Sequence, residues 1–560
     1  MKTRPVLMGS LIIPLLVLSS CGAGYKIYDR FELNKDSHYR DMRIDGTGYV
    51  SEAYHEILKY DDPDDELYEN PYYYQINEVK TIAVLVDFED TQYKAANMTR
   101  GEANMLSDLN KVILGEASDT QWQSLKSYFH TTSFGICNVS GTVVPEVYHT
   151  GLTVTEFSTY NGASKDNPSK ATDQLAKDIK KWLNDKGTYN MKDYDSNKDG
   201  LIDSLIMIYT APPHCTNPDT GAALNDDLFW AYCSSVNSQI QISRTNPGVD
   251  RYFWTSYETF FENGHYDEQG NHLDWTTEEI ENGTAKLDAH TLIHEFGHVL
   301  SLPDYYNGDY DLHGSNADAY DPLLALDMQA YNIGDANAFS KSLYGWTTPY
   351  VVEDNCTITI KSTTETGEFI IVPVQGKYEG TLLSQYLMIE YLTPTELTMF
   401  DGTYKLGGNY PKYYSEPGVR VCLVDARPGM FSRSTGKFTG FTASTVMTDS
   451  YYIKFACDNN SISRSCYPNL KLIEIVPNSK TGNYVTARYH STGQADNSCL
   501  YHQGDVWGRG KCFPNFYVHG NSKFWSQPTS SKAGQGQKLG FSFKIEKMNE
   551  DGVTISFSRV

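Results

Sequence analysis

The sequence lacks several features that would identify common classes of protein. It has no Cys-x-x-Cys pair, so a zinc site built on cysteines is not expected. It has no Gly-x-Ser-x-Gly motif, the strand-turn-helix signature that exposes a serine nucleophile. Past the first 20 residues there is no apolar run of about 18 residues, the length that a membrane-spanning helix needs. Internal repeats and low-complexity tracts are also missing.

Positive charge is in short supply. Lysine and arginine number 46 against 70 aspartates and glutamates, which gives a formal net charge of −24. Such a balance argues against nucleic acid or an anionic membrane surface as the main partner. With 560 residues, the chain is long enough for two to four domains with cores of their own.

The first 21 residues have the pattern of an export signal. Lys2 and Arg4 precede an apolar run over residues 6–18, and small residues then lead to Cys21. The stretch "LSSC" resembles a bacterial lipobox, in which the cysteine carries the lipid. We therefore expect a protein at the bacterial cell surface or envelope, anchored in the membrane by lipid on Cys21, or released to the exterior. The alternative is an ordinary secretory signal in which this cysteine is a coincidence.

Nine further cysteines leave at least one thiol without a disulfide partner. An exported protein can form disulfides, and three pairs would close short loops. These pairs are Cys215 with Cys233, Cys457 with Cys466, and Cys499 with Cys512. The sequence alone does not determine which of these cysteines pair.

The composition and the pattern of apolar residues change along the chain, and together they predict an α+β fold divided into several parts. Residues 1–20 form the signal, and residues 21–78, acidic and rich in tyrosine, form a tether or short pro-segment. Residues 79–348 mix buried-type strands with helical periodicity, as in a catalytic domain built on a mixed sheet. Residues 349–560 carry short alternating runs divided by turn residues, which indicates a β-sandwich or jelly roll. A division of this last region near residue 490 is an open alternative.

The stretch "HEFGHVLSLPDYY" contains the strongest chemical signal. On a helix, His294 and His298 project from one face about 6 Å apart, so both imidazoles can reach one metal ion. Glu295 is then placed to bind a water on that metal without ligating it. Asp304, six residues after His298, is where a returning loop could supply a third ligand. The alternative is a helix that carries polar residues on one face by chance.

Several stretches resemble the immune inhibitor A-like secreted metallopeptidases, relatives of the metzincins. "HEFGHVLSLPD" is similar to their HExxHxxGxxD motif, with Ser301 where the family usually has glycine. "LALDM", which ends at Met328, resembles the methionine turn beneath the zinc. The resemblance continues through "IAVLVDFED", "SYFHTTSFG", "FSKSLYGW", "SQYLMIEYL" and "PGVRVCLVD", and so covers about residues 79–430.

This resemblance implies a role for each residue that matches the motif. His294, His298 and Asp304 would hold zinc, and Glu295 would act as general base and then as general acid. Met328 would be a packing floor beneath the metal. Tyr331 and Tyr306 are unranked candidates for stabilising the oxyanion. His290, which extends the i, i+4 series, is expected to lie in the second shell or on the surface.

A second candidate metal site lies in "DSNKDGLID". The side-chain oxygens of Asp195, Asn197, Asp199 and Asp203, with Gly200 at position 6, match the first part of a calcium loop. Position 12 is Ile206, so the loop is not an EF-hand. The alternative is a turn whose side chains hydrogen-bond their own backbone.

Taken together, the sequence predicts a zinc-dependent endopeptidase that cleaves proteins or peptides outside the cell. The rival interpretation is a non-catalytic adhesin or glycan-binding lipoprotein that keeps a vestigial metal site. Action on cell-wall peptides is a third possibility, which the sequence does not separate from proteolysis.

Overall fold

The computed structural model describes most of the chain between Arg40 and Arg559. The residues it describes are 40–44, 50–54, 78–91, 94–95, 98–217, 220–224, 228–236, 242–267, 269–300, 302, 305, 334–373, 382–404, 414–441, 450–457, 472–476, 478, 497–507 and 540–559. Within them the fold is a mixture of α-helices and β-sheets, as predicted.

A mixed sheet, which we call the N-terminal sheet, forms the centre of the first half. Its strands, in spatial order, are Asn138–Val143, Glu78–Asp87, Ser204–Tyr209, Arg251–Ser256 and Tyr232–Ser235. The short strand Tyr148–His149 pairs with the end of Glu78–Asp87. All pairings are parallel except that of Tyr232–Ser235, which runs antiparallel along the edge.

Both faces of the N-terminal sheet are covered, which explains why its central strands are apolar without alternation. Ala83 and Leu85 point into one core together with Leu292 and Phe296. Ile82, Val84 and Val86 point into a second core on the other face, which is closed by helix Ser169–Lys186. The result is a sheet between two helical layers.

The helices of the described residues differ widely in length. They are Glu102–Leu114, Leu125–Thr132, Val154–Phe157, Ser169–Lys186, Thr277–Asn282, His290–Val299, Ala338–Leu343, Thr363–Thr366 and Leu397–Thr403. Short 3₁₀ turns cover Ala117–Asp119, Tyr160–Gly162, Met191–Tyr194, Tyr257–Phe260 and Asn497–Cys499. Local sequence sets several of the bounds. Ser124 caps the second helix by accepting a hydrogen bond from the Ser127 N–H, and Gly187 ends the fourth in the left-handed conformation.

Two larger sheets share one hydrophobic core in the second half. The first has the strand order Val50–Tyr54, Arg40–Ile44, Tyr350–Val352, Phe369–Pro373, Gln385–Leu392, Gly418–Asp425 and Ile473–Ile475. The second has the order Cys356–Ile360, Gly552–Arg559, Phe541–Asn549 and Val506–Trp507. Smaller sheets join Phe438–Phe441, Pro428–Ser432 and Tyr451–Phe455, and the pairs Lys94–Ala95 with Met98–Thr99 and His265–Tyr266 with His272–Leu273.

Part of the segment predicted as a tether or pro-segment lies in the first of these sheets. Strands Arg40–Ile44 and Val50–Tyr54 form an antiparallel hairpin, and Arg40–Ile44 pairs in parallel with Tyr350–Val352. These residues therefore belong to the folded body, so a tether alone does not describe residues 21–78. Phe369–Pro373 also pairs in parallel with Tyr350–Val352. The sheet is thus mixed, where a jelly roll would be antiparallel throughout.

Most predicted elements agree with the structure. The helical periodicity expected within residues 79–348 is found in helix Ser169–Lys186, and the short strands expected over residues 349–560 include Gln385–Leu392 and Gly418–Asp425. Cys215 and Cys233 are both free thiols, so the disulfide considered between them is absent. Among the described residues, no helix has the length and apolar character needed to cross a membrane.

Candidate metal centre

The two histidines and the glutamate lie on helix His290–Val299, which we call the site helix. It begins at His290, two residues after Asp288, whose Oδ1 accepts the backbone N–H of His290 at 2.7 Å. Its apolar side chains Ile293 and Phe296 are fully buried in the core beneath the N-terminal sheet. Burying a side chain of this size contributes about 1.5–3 kcal/mol, so packing fixes the rotation of the helix and of its polar residues.

The ring nitrogens of His294 and His298 converge, as the sequence predicts. Their Nε2 atoms lie 3.2 Å apart, and the two rings are nearly perpendicular, at 88°. His298 Nδ1 lies 2.7 Å from the carbonyl oxygen of Leu302. A carbonyl only accepts, so Nδ1 carries the proton and Nε2 keeps its lone pair for a metal.

The spacing of these nitrogens fits a zinc ion. Zinc–nitrogen bonds of about 2.0–2.1 Å at a tetrahedral angle place two ligand atoms about 3.3 Å apart. The 3.2 Å between the two Nε2 atoms matches that separation. His294 is almost fully buried, and His298 is partly exposed. The pair can therefore hold a metal on one side while the other side stays accessible.

Glu295 is oriented by the neighbouring edge of the N-terminal sheet. Its Oε2 accepts the backbone N–H of Cys233, in the edge strand Tyr232–Ser235, at 2.7 Å. Its other oxygen, Oε1, lies 4.0 Å from His294 Nε2. One oxygen is thus held by the sheet while the other faces the histidine nitrogens, the placement expected of a group that handles the proton of a bound water.

His290 takes no part in this convergence. It is buried, its Nδ1 lies 2.7 Å from Asp288 Oδ1, and its ring stacks on Trp122 with centroids 4.3 Å apart. Burial raises the pKa of Asp288, but the charge and hydrogen bonds of His290 outweigh that effect and lower it overall. The surface position considered for His290 is therefore wrong: the residue is a buried part of the packing at the start of the site helix.

Several predicted residues lie outside the part of the chain that the structure describes. They are Cys21, Asp304, Tyr306, Met328 and Tyr331. Within the described residues, no three side chains of histidine, cysteine, aspartate or glutamate come together as a metal site. The predicted zinc set does not conflict with this, because its third member, Asp304, is not among them.

In the loop of residues 195–203, side-chain oxygens accept hydrogen bonds from the loop's own backbone N–H groups, as the turn alternative predicts. Asp199 Oδ1 accepts from the Leu201 N–H at 2.8 Å, and Asp203 accepts from the N–H groups of Ser196 and Lys80. Asp195 Oδ2 accepts from the Gly200 N–H, while its buried Oδ1 has no hydrogen-bond partner among the described residues. Burial raises the pKa values of Asp195, Asp199 and Asp203, to about 6 for Asp203.

Sequence reasoning missed two groups at the metal centre. They are the Cys233 N–H that holds Glu295 and the Leu302 carbonyl that fixes the tautomer of His298. The first is a main-chain N–H, which every residue but proline carries, and the second is a main-chain carbonyl, which every residue carries, so residue type gives no signal for either.

The site helix and the sheet edge beside it define the class of this protein. A His-Glu-x-x-His helix that converges two imidazoles, with its glutamate aimed toward them, is characteristic of metallopeptidases. Over residues 69–326 the chain matches the family described as immune inhibitor A peptidase M6, catalytic domain. The resemblance drawn from the motifs is thereby confirmed.

Two characterised relatives are similar to the same region. Immune inhibitor A of Bacillus thuringiensis subsp. alesti is 27% identical over 266 residues, which cover 43% of this chain and 35% of the relative. The pre-pro-metalloprotease PrtV of Vibrio cholerae serotype O1 (strain M66-2) is 23% identical over 254 residues, which cover 41% of this chain and 25% of that protein. The chain thus spans about a third or less of the length of these relatives.

Proposed function

We propose that the protein is a zinc-dependent endopeptidase acting on proteins or peptides outside the cell. The observation that carries the proposal is the 3.2 Å separation of the Nε2 atoms of His294 and His298. The hydrogen bond from His298 Nδ1 to Leu302 adds to it, because it leaves the second nitrogen free to ligate. His294, His298 and Asp304 would hold the ion, and Met328 would pack beneath them.

Glu295 performs the proton transfers in this proposal. When bound, zinc supplies a Lewis acid that polarises the scissile carbonyl and makes water a nucleophile near neutral pH. Glu295 accepts the proton of the attacking water and then delivers it to the leaving amine. The Cys233 N–H keeps the carboxylate turned toward the histidines through both steps. Tyr331 or Tyr306 would donate a hydrogen bond to the oxyanion.

The test is to purify the protein, measure its zinc content, and incubate it with casein or gelatin, with and without a chelator. We expect about one zinc per chain and cleavage that stops when the chelator is added. A protein without stoichiometric zinc that cleaves neither substrate would instead favour the rival function, a surface adhesin or glycan-binding lipoprotein. A sequence without Glu295, His294 or His298 would have favoured that rival, and all three residues are present.

We further propose that the chain is exported and anchored by lipid on Cys21. The support is the run from Lys2 to Cys21, with its basic start, apolar middle and small residues before the cysteine. Cys21→Ser should leave export intact but abolish lipid labelling and release the protein from the membrane. If the variant stays in the membrane fraction, the anchor lies elsewhere.

A calcium ion in the loop of residues 195–203 is a separate proposal. Its support is the spacing of oxygens in Asp195, Asn197, Asp199 and Asp203, together with the buried Oδ1 of Asp195. Burial raises the pKa values of Asp195, Asp199 and Asp203, and a bound calcium ion would offset the cost of burying their charged forms.

For the remaining organisation we propose a catalytic domain of metzincin type over residues 79–348 and a β-sandwich region over residues 349–560. Residues 21–78 would be a short pro-segment whose strand Arg40–Ile44 pairs with Tyr350–Val352. Support comes from the family match over residues 69–326 and from the shared core of the two sheets in the second half. The C-terminal region would support the catalytic domain and contribute no chemistry of its own.

A further inference from the structure

We propose that Arg251 positions the metal ligand His298 by binding its main-chain carbonyl, so that the N-terminal sheet holds one ligand of the metal centre. The inference rests on the proposed function, because it takes His298 as a ligand of zinc. Arg251 is the first residue of strand Arg251–Ser256 and lies 47 positions before His298. The metal-binding motif does not contain it, so the motif gives no reason to assign it a role.

A hydrogen bond joins the two residues. Nη1 of Arg251 donates to the carbonyl oxygen of His298 at 2.5 Å. The guanidinium is positively charged, and hydrogen bonds from a charged donor are shorter and stronger than those between neutral groups. Both residues are only partly exposed, so solvent and salt weaken this contact less than they would on an open surface. The contact ties the site helix directly to a strand of the sheet.

His298 depends on outside support because it lies near the end of the site helix. The helix runs from His290 to Val299, and the carbonyls of a last turn lack a following turn of N–H groups to bind. Helix ends fray for this reason, whereas His294 lies one turn further inside. The last carbonyls also leave a partial negative charge at this end, which favours a cation beside them. Arg251 supplies both the donor and the charge.

His298 is held at two points. Arg251 binds its main chain, and the carbonyl of Leu302 accepts its Nδ1–H at 2.7 Å. Leu302 is itself tied to the site helix, because its N–H donates to the Gly297 carbonyl at 2.9 Å. With the main chain and Nδ1 both held, the imidazole keeps one orientation. Its Nε2 thereby stays 3.2 Å from that of His294, the separation that suits zinc.

The donor comes from a rigid part of the fold. Strand Arg251–Ser256 is paired on both sides with other strands of the N-terminal sheet. Arg251 stands opposite Ser235 in the edge strand. Two residues before Ser235 in that strand is Cys233, whose N–H orients Glu295. One pair of strands therefore positions both the ligand and the carboxylate that transfers the proton.

Loss of this contact should weaken metal binding. Outer contacts that orient a ligand typically change metal affinity by about 10–100-fold when they are removed. Without the guanidinium, water replaces Arg251 at the His298 carbonyl and the end of the site helix loosens. The hydrophobic cores contain no part of this contact, so the fold should persist.

The experiment compares three replacements of Arg251 in the full chain. Arg251→Met keeps a flexible apolar stem without the charge or the donors. Arg251→Gln keeps a polar group on a shorter side chain, so it decides the matter if Arg251→Met fails to fold. Arg251→Lys keeps the charge and a donor.

Lys180→Met is the matched control. Lys180 is a partly exposed cation whose Nζ donates to the main-chain carbonyl of Asn246 at 3.3 Å. It belongs to helix Ser169–Lys186, on the other face of the N-terminal sheet from the site helix. The variant therefore removes the same kind of contact away from the metal centre.

Three measurements are made on each variant. Competition with a chromogenic chelator gives the zinc dissociation constant. The visible spectrum of the cobalt(II)-substituted protein reports the geometry of the ligands. Melting of the metal-free protein reports whether the fold is intact.

We expect Arg251→Met and Arg251→Gln to raise the zinc dissociation constant about 10-fold or more and to change the cobalt spectrum. Arg251→Lys should recover part of the loss, and Lys180→Met should stay within about 2-fold of wild-type protein. If wild-type protein binds zinc and both neutral variants bind it equally tightly, this inference fails while the proposed function stands. An equal loss in Lys180→Met also overturns it. Wild-type protein that binds no zinc overturns the proposed function and this inference together.

Discussion

The backbone N–H of Cys233 donates to Glu295 Oε2 at 2.7 Å and so joins the edge strand of the N-terminal sheet to the site helix. Cys233 stands opposite Phe253 in the antiparallel pair of strands, and Phe253 is fully buried. The donor is therefore set by the sheet and does not depend on the cysteine side chain. The rigid sheet therefore holds the Glu295 carboxylate in one orientation. A fixed orientation favours a fixed direction of proton transfer.

Changing Glu295 to glutamine should separate metal binding from catalysis. The amide oxygen can still accept from the Cys233 N–H, but the side chain can no longer take a proton at neutral pH. We expect Glu295→Gln to keep about one zinc per chain and to lose about 10²–10⁴-fold in kcat. Zinc content and casein hydrolysis measure the two effects. Exposed Glu278, changed to glutamine, is the matched control. Full activity in Glu295→Gln would mean that another group is the base.

The three predicted ligands should behave alike. His294→Ala, His298→Ala and Asp304→Ala each leave two protein ligands, too few to retain a catalytic zinc ion. We expect all three to lose both metal and activity, and His149→Ala, at an exposed histidine, to lose neither. Metal analysis after dialysis and hydrolysis assays read out the result. Retention of zinc and activity by Asp304→Ala alone would place the third ligand elsewhere in the chain.

Calcium should stabilise the protein through the loop of residues 195–203. Asp199→Ala removes one of the candidate ligands, so its melting temperature should fall in calcium and change little in a calcium chelator. Asp166→Ala, at an exposed acid away from the loop, is the comparison. Thermal melts of both variants and of wild-type protein with and without calcium decide the matter. Equal losses in both conditions would identify the loop as a turn held by its own hydrogen bonds.

Glu258 should make stability depend on pH. Burial, together with the negative charge of Glu262, raises the pKa of Glu258 from 4.5 to about 8. The folded protein thus holds this proton more tightly than the unfolded chain does. The stability it contributes is complete below about 4.5 and is lost as pH rises toward about 8. Glu258→Gln is neutral throughout and should flatten the decline of melting temperature over this range.

The comparison for Glu258→Gln is Glu278→Gln, whose melting curve should follow that of wild-type protein at every pH. Melting temperatures are read at intervals from about pH 5 to about pH 9. Parallel curves for Glu258→Gln and wild-type protein would show that the carboxyl keeps its ordinary pKa in the folded state.

Removing one partner of the buried ion pair of Glu390 and Arg420 should lower the free energy of unfolding strongly. Replacing both partners with uncharged residues should lower it much less. Arg420→Met leaves the Glu390 charge buried without its partner, and we expect the free energy of unfolding in urea to fall by about 3–5 kcal/mol. Adding Glu390→Gln removes the charge while an oxygen remains for the Ala338 N–H, so the double variant should recover most of the loss. Lys181→Met, in an exposed ion pair with Asp185, should cost less than about 1 kcal/mol. A loss in Arg420→Met as small as that would contradict the expected role of burial.

Elements with strong local signals were predictable. The helical periodicity and the buried-type strands predicted within residues 79–348 are represented by helix Ser169–Lys186 and strand Glu78–Asp87, and the motif identified the two histidines and Glu295. In each case the residues that decide the structure lie next to one another in the chain, so a short window contains the information.

Elements that depend on distant partners were not predictable. The edge strand Tyr232–Ser235 has four residues, all partly exposed, and becomes a strand only because Arg251–Ser256 lies beside it. Strands Arg40–Ile44 and Val50–Tyr54 stand in a polar segment, and the partner of the first is Tyr350–Val352. The contact between Tyr305 and Ser340 likewise joins residues 35 positions apart, and no local pattern in the sequence points from one to the other.

The pairing of Met42 with Tyr350 has a consequence for the order of folding. During synthesis the strand Arg40–Ile44 is made before any strand of the N-terminal sheet, yet its partner follows all of them. Closing so long a loop is slow unless the intervening chain has already become compact. The N-terminal sheet can therefore assemble first, and the hairpin of strands Arg40–Ile44 and Val50–Tyr54 then docks onto a body in which the site helix already packs against that sheet.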